Sequence, residues 1–132
     1  MDIDLPEVVA EVRDAFARYE NALVSNDVAT LNGLFRDDLR TIRYGVAENL
    51  YGHIAIEAFR SARSPAGLAR TLTNTIITTF GKEFAVASTL FNRASARGKV
   101  GRQMQSWVRF PEGWRVVAAH VSLIDAPQEA SI

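Results

Sequence analysis

The residues from Lys99 to Ile124, KVGRQMQSWVRFPEGWRVVAAHVSLI, restrict the fold more than any other part of the chain. They are a long run of strand-favouring residues that is interrupted once, at residues 110–113 (FPEG), and this pattern predicts a β-hairpin. Side chains of a strand point alternately to opposite faces. The second arm is apolar at both sets of positions, with Trp114 in one set and Val121 in the other. We therefore expect both faces to be covered, one by helices and a pocket and the other by more protein.

The size and composition of the chain suit one globular domain over residues 1–132, with 48% hydrophobic and 23% charged residues. Fifteen basic residues balance fifteen acidic ones, so no net charge favours nucleic acid or a membrane as partner. The absence of cysteine excludes disulfides and thiolate chemistry. No apolar run is long enough to span a bilayer, and the acidic N-terminus does not have the pattern of a secretion signal, so we expect a cytoplasmic protein.

Helical periodicity is confined to the first half of the chain. Apolar residues recur at helical spacing from Val8 to Leu23 and predict a long first helix, with Asp4 as its candidate cap. Asp27 is expected to cap a short second helix, and a third helix is expected to begin near His53. Between the second and third helices, we predict a short strand over residues 39–44 and a loop over 45–50.

Strand composition dominates from residue 68 onwards. Residues 68–80 and 84–93 are predicted to form two strands joined by a tight turn, and the hairpin follows them. Residues 125–132 are predicted to be a loose tail. Helices followed by a meandering antiparallel sheet indicate an α+β fold.

Several segments together resemble the AtzH-like, or HpxZ-like, family of the nuclear-transport-factor and SnoaL-like superfamily. These segments are RYENAL at 18–23, TIRYG at 41–45, YGHIAIEAFRSAR at 51–63, FG at 80–81 and GRQMQSWVRFPEGWRVVAAHVS at 101–122. The resemblance implies a cone-shaped fold, in which a curved antiparallel sheet wraps around the three helices and leaves a pocket at its open end. It also implies a homodimer through the outer face of the sheet.

The resemblance further implies an activity and two essential residues. Members of the family are linked to the catabolism of small nitrogen compounds, and the activity proposed for them is hydrolytic removal of a carboxylated amide end from dicarboxyurea, giving allophanate. Their proposed essential residues are a tyrosine on the first helix and an arginine on the first strand, which correspond here to Tyr19 and Arg43. Other members accompany amidases of purine or oxalurate breakdown, so an amidase partner is also expected.

Each of these two residues also has a purely structural interpretation. Tyr19 lies on the inward stripe of the first helix, where its hydroxyl bonds either a backbone carbonyl of the core or an anionic ligand oxygen. Arg43 pairs either with a surface acid or with a ligand carboxylate through two parallel hydrogen bonds. Isomerases of this fold place a carboxylate base on this early strand. Residues 39–46 contain no acid, which favours an anionic ligand over isomerisation.

Four further residues are candidates for substrate binding. Arg60 and Arg63 lie one turn apart on the third helix and are either solvated charges or a second carboxylate site. Trp107 lies on one face of the hairpin's first arm, which lines either the pocket or a dimer interface. His120 is predicted to share a face with Trp114, and a buried core histidine is its alternative role.

We therefore expect a small amidohydrolase that acts on a carboxylated nitrogen metabolite without metal or cofactor. The two histidines have no acids at ligand spacing, and no Gly-rich phosphate loop, dinucleotide fingerprint or G-x-S-x-G motif is present in the sequence. The alternative is a non-catalytic module that binds small anions, or a partner subunit of an amidase, because fold does not imply function.

Overall fold

Three helices and six strands make up residues 1–127, the part of the chain that the computed structural model describes. The predicted α+β class is confirmed. Residues 128–132 of the predicted tail lie outside the described residues, and its first residue, Asp125, instead pairs with Lys99 in the sheet. The elements are α1 (Pro6–Val24), α2 (Val28–Leu34), β1 (Ile42–Tyr44), β2 (Asn49–Tyr51), α3 (His53–Ala62), β3 (Thr71–Phe80), β4 (Phe84–Asn92), β5 (Lys99–Phe110) and β6 (Gly113–Asp125).

The strands form one sheet in the order β2-β1-β6-β5-β4-β3. Strands β3 to β6 are antiparallel neighbours, as the predicted meander requires. Strand β1 runs parallel to β6, so the sheet is mixed rather than wholly antiparallel. Residues 45–50, predicted to be a loop, turn back sharply and supply β2, which pairs antiparallel with β1. Within residues 1–127, no helix is both long and apolar enough for a bilayer crossing.

Helix α1 lies at the centre of the core because one stripe of its side chains is apolar. Val12 and Tyr19 on this stripe are almost fully buried. Asp4 does not cap the helix as predicted, since Leu5 holds the N-cap position. The Asp4 Oδ1 atom instead accepts a hydrogen bond from the backbone N–H of Thr79 (2.9 Å), which attaches the N-terminus to β3.

A β-bulge changes which side chains of β6 face the core. Ser106 pairs with Ala118 and Trp107 with Val116, so Val117 has no partner on β5. One extra residue moves all later side chains to the opposite face. Trp114 and Val116 face inward before the bulge, whereas His120 faces outward after it and is exposed. The prediction that His120 shares a face with Trp114 is therefore wrong.

Gly101 makes room for an aromatic ring on the inner face. It lies directly opposite Phe91 on β4, and a Cβ atom added to Gly101 would collide with the ring of Phe91. The ring contacts the guanidinium groups of Arg70 and Arg93, whose Cζ atoms lie 4.6 and 4.9 Å from its centroid. A side chain at position 101 would displace the ring and disturb both arginines.

We expect Gly101→Ala to lower the free energy of unfolding by about 1–3 kcal/mol, because overpacking forces a buried ring from its place. Urea denaturation measures this change. Gly33→Ala is the matched control, since Gly33 lies within α2 and an added Cβ meets no atom within 4 Å. The control is expected to be neutral or slightly stabilising. Equal stability of the wild type and Gly101→Ala would contradict the overpacking argument.

Candidate functional site

A cavity of about 200 Å³ lies between α1, α3, the β1–β2 hairpin and the inner face of the sheet. Its walls combine six apolar side chains with four arginines. The lining residues are Tyr19, Leu23, Arg43, Val46, Ala47, Glu48, Phe59, Arg63, Leu68, Arg70, Arg93, Gln103 and Val121.

Tyr19 reaches the cavity from the fourth turn of α1, on the apolar stripe of that helix. Its side chain is almost fully buried, and its ring centroid lies 6.2 Å from that of Phe35. Although buried from bulk solvent, the residue lines the cavity. A tyrosine hydroxyl both donates and accepts, so this group is available to a molecule in the cavity.

Arg43 reaches the same cavity from β1. Its Nη1 donates to Glu48 Oε1 (2.8 Å), and its guanidinium carbon lies 5.2 Å from the centroid of the Phe59 ring. The other carboxylate oxygen of Glu48 accepts from the backbone N–H of Ala47 (3.2 Å). A Cβ at position 45 would meet this carboxylate, so a larger residue there would require the Glu48 side chain to move. Residues 39–46 contain no acid, and the β1–β2 turn brings Glu48 to Arg43 instead.

Helix α3 places Arg63 on the cavity wall and Arg60 behind it. Arg60 is 1% exposed, lies 4.2 Å above the Phe35 ring, and has no hydrogen-bond partner in the described chain for any of its three side-chain nitrogens. Burial lowers the pKa of Arg60 to about 10; Tyr19 opposes this change, and Arg43 and Arg63 add to it. Burial and then Arg43 likewise lower the pKa of Arg63. The alternative prediction, that Arg60 and Arg63 are solvated charges on the surface of the third helix, is therefore wrong.

Arg70 and Arg93 belong to the cavity although sequence reasoning did not single them out. Arg70 donates from Nε (2.9 Å) and Nη2 to the two oxygens of Glu20, and Nη2 also donates to Gln103 Oε1 (3.0 Å). Burial, followed by the charges of Arg70 and Arg63, lowers the pKa of Arg93. The two arginines flank the paired ends of β3 and β4, where Thr71 lies opposite Asn92. A bulge after Thr73 sets this register, and its position was not visible in the sequence.

Two of the predicted substrate-binding residues lie away from the cavity. Trp107 is fully buried in the core, where its Nε1 donates to Gln105 Oε1 (3.1 Å), because β5 turns it beneath α1 rather than towards the open end. His120 is exposed on the outer face because of the bulge at Val117, and its ring lies 6.0 Å from that of Tyr44. The described residues contain no cluster of His, Cys, Asp or Glu side chains that could hold a metal ion.

The electrostatics of the site are one-sided, although the whole chain is formally neutral. Among residues 1–127, five guanidinium groups line or closely back the cavity, and two carboxylates, Glu20 and Glu48, are paired with them. Low-dielectric walls strengthen such a field. The arrangement therefore suits a small ligand with more than one negative charge.

Comparisons with known proteins agree with this architecture. The family model described as AtzH-like matches residues 1–127. A crystal structure of a protein of unknown function from the DUF3225 family of Pectobacterium atrosepticum SCRI1043 is 58% identical, covers 94% of this chain and 96% of its own, and superposes with a TM-score of 0.92. A cystatin-like fold protein from Burkholderia xenovorans LB400 is 46% identical, with 96% and 99% coverage and a TM-score of 0.92.

More distant structures show the fold alone. An NTF2-like protein of unknown function from Pseudomonas putida KT2440 is 17% identical, covers 88% of this chain and 86% of its own, and has a TM-score of 0.73. Three helices against a curved mixed sheet are thus the nuclear-transport-factor-like, cone-shaped fold that the sequence predicted. No curated protein matches the chain.

Proposed function

The chain belongs to the AtzH-like family, and on this premise we propose that it is a small amidohydrolase of nitrogen-compound catabolism that converts dicarboxyurea to allophanate with release of carbon dioxide. The observation that carries the proposal is that Tyr19 and Arg43 line one cavity whose unpartnered buried polar atoms are donors. A carboxylated urea presents carboxylate and carbonyl oxygens, which are acceptors that match these donors.

Arg43 binds a substrate carboxylate and fixes its orientation. A guanidinium matches a carboxylate through two parallel charge-assisted hydrogen bonds. In the structure, Glu48 occupies Nη1 of Arg43 (2.8 Å) and holds the side chain against Phe59. The arginine is therefore positioned before a ligand arrives, which lowers the entropy lost on binding.

Tyr19 acts on the negative charge that develops when the carbon–nitrogen bond of the substrate breaks. When the bond between a urea nitrogen and its carboxylate carbon breaks, the electron pair stays on nitrogen and the carbon leaves as carbon dioxide. The negative charge is shared between that nitrogen and the central carbonyl oxygen. Tyr19 either stabilises this oxygen by a hydrogen bond while water protonates the nitrogen, or protonates the nitrogen itself and is then reprotonated by water. In both cases the water becomes hydroxide, which carries the negative charge of the lost carboxylate.

Carbon dioxide release from dicarboxyurea tests the proposed activity. Arg43→Met is expected to lower kcat/KM by about 30-fold or more, because truncating one partner of a buried charge pair typically costs at least about 2 kcal/mol. Arg36→Met is the control, since Arg36 pairs with Glu112 at the surface.

The assay also separates the alternatives. Absence of dicarboxyurea turnover by the wild type would contradict the proposed enzymatic activity. Binding of small dicarboxylates without turnover would support a non-catalytic anion-binding module, and a stable complex with an amidase would support a partner subunit.

We also propose that the outer face of the sheet binds a second copy of the chain. A shallow apolar groove crosses four strands there, with Ile42 on β1, Ala118 on β6, Met104 on β5 and Val86 on β4. The side chain of Met104 lies in this groove although the residue is 57% exposed, and contiguous exposed apolar surface of this kind is typical of protein interfaces.

We expect Met104→Lys to convert a dimer to a monomer, because it buries an unpaired charge at the interface. Sedimentation velocity measures the molecular mass. Ile54→Lys, at an exposed position of α3, is the matched control and is expected to leave the mass unchanged. A monomeric wild type would rule out the homodimer.

A further inference from the structure

The cationic groups of the cavity fall into two sets. Arg43 is paired with Glu48, and Arg70 is paired with Glu20. Arg63 and Arg93 form no ion pair with any residue in the range 1–127. Arg63 Nε and Nη2 and Arg93 Nε are buried atoms without a hydrogen-bond partner in the described chain.

Gln103 is the third residue that contributes an unsatisfied donor to the same wall. Its Oε1 accepts from Arg70 Nη2 (3.0 Å), and because a guanidinium can only donate, the amide orientation follows from this contact. The Nε2 group is therefore the amide's free end. Gln103 is 1% exposed, and Nε2 has no partner in the part of the chain that the structure describes.

These unsatisfied groups are all donors. Buried polar groups without partners are rare in folded proteins, and a binding site for an ion is one established explanation. Two guanidinium groups and a carboxamide N–H₂ together require an acceptor with several lone pairs and a negative charge. A carboxylate provides both.

The frame around this set is already ordered without a ligand. Glu20 holds Arg70, Arg70 holds the oxygen of Gln103, and the Phe91 ring lies against the guanidinium groups of both Arg70 and Arg93. Burial and then the charge of Arg43 lower the pKa of Arg63, and burial and then the charges of Arg70 and Arg63 lower the pKa of Arg93. The donors of Gln103 and Arg93 are therefore held in place before an anion binds.

We propose that Arg63, Arg93 and Gln103 form a second carboxylate subsite, separate from Arg43, so that the cavity selects a small dicarboxylate over a monocarboxylate. The inference rests on the proposed function in placing the ligand in this cavity, but it does not depend on turnover. In dicarboxyurea, the second subsite holds the carboxylate at the end opposite to the one that Arg43 orients. Allophanate retains only one carboxylate. It is therefore expected to bind more weakly than dicarboxyurea, which favours release of the product.

Calorimetry with unreactive probes tests the subsite. Glutarate has the same spacing of carboxylates as dicarboxyurea. Pentanoate has the same number of carbons as glutarate but only one carboxylate. We expect glutarate to bind at least tenfold more tightly than pentanoate. Arg93→Met and Arg63→Met are each expected to weaken glutarate at least tenfold and to leave pentanoate within about twofold, because pentanoate is held by Arg43.

Three controls make the result decisive. Arg97→Met removes the same charge from an exposed residue in the loop after Arg93, and is expected to change neither affinity. Arg93→Lys keeps the charge without the planar fork of donors and is expected to give an intermediate loss for glutarate. Circular dichroism confirms that each variant folds.

Several outcomes would overturn the subsite. Equal loss for both probes would mean that Arg63 and Arg93 act only through the general field, and equal affinity for both probes in the wild type would remove the selectivity. Tighter binding of inorganic phosphate than of glutarate would assign the site to another anion. Turnover of dicarboxyurea is measured separately: glutarate selectivity without turnover would refute the proposed function alone, and turnover without selectivity would refute the subsite alone.

Discussion

Tyr19→Phe is expected to lower kcat for dicarboxyurea by about 10²–10³-fold and to leave KM within about threefold. The substitution removes one oxygen, and in the proposed reaction that oxygen interacts with charge that develops only as the C–N bond breaks. A donor of this kind typically contributes 10²–10⁴-fold to a rate. An interaction made only in the transition state lowers kcat without a matching rise in KM.

The matched control for Tyr19→Phe is Tyr44→Phe. Tyr44 also loses a hydroxyl, but its hydroxyl bonds that of Tyr51 (3.0 Å) on the outer face, away from the cavity. Single-turnover measurement of carbon dioxide release follows the chemical step directly. Unchanged kcat in Tyr19→Phe, or an equal fall in Tyr44→Phe, would remove Tyr19 from the reaction.

Arg60→Met is expected to raise the free energy of unfolding by about 1–3 kcal/mol. The wild type buries a guanidinium whose nitrogens have no partner among residues 1–127, and the desolvation of an unpaired ion costs several kcal/mol. The cation–π contact between Arg60 and the Phe35 ring, at 4.2 Å, offsets part of this desolvation free energy. Methionine fills a similar volume without the charge. Urea denaturation measures the gain, and Arg18→Met, an exposed arginine on α1, is the control that is expected to show none.

The same variant has a defined pH dependence. The folded pKa of Arg60 is about 10, well below its ordinary value. Between these values, the unfolded chain binds more protons than the folded chain, so the stability of the wild type rises with pH there. The advantage of Arg60→Met should therefore be constant from pH 6 to 9 and shrink above pH 10. A less stable Arg60→Met protein would show that the guanidinium has partners that offset its burial.

Stabilisation of the empty protein should be accompanied by weaker ligand binding. Arg60 lies near Tyr19, Arg43 and Arg63 and adds to the positive field of the cavity. Binding sites often retain such destabilising groups, since the ligand supplies the missing interactions. We expect glutarate affinity to fall in Arg60→Met although Arg60 does not line the cavity.

The type and order of the elements were predictable because their patterns are local. The stripe from Val8 to Leu23 occurs within one helix, and the alternating residues of the hairpin occur within two adjacent strands. Tyr19 and Arg43 were predicted through the family resemblance, and both line the cavity. Their catalytic roles remain predictions.

The remaining cavity residues depended on distant parts of the chain. Arg70 and Arg93 are separated by more than twenty residues and meet because a bulge shifts the β3–β4 register. Glu48 reaches Arg43 through a hairpin where a loop was predicted. His120 moved to the outer face because of one unpaired residue, Val117. Each of these outcomes changes if the register moves by a single position.

Periodicity and composition along the chain were thus sufficient to establish an α+β protein with a buried tyrosine on its first helix. The gathering of five guanidinium groups around one cavity was settled by folding, as was the separation of Arg63 and Arg93 from any counter-ion in the described chain. The physical reason is that hydrophobic patterning depends on neighbours a few residues away, whereas strand register and bulges arise from packing between segments that are far apart in sequence. A residue pattern records the first kind of information directly and the second only through the assembled sheet.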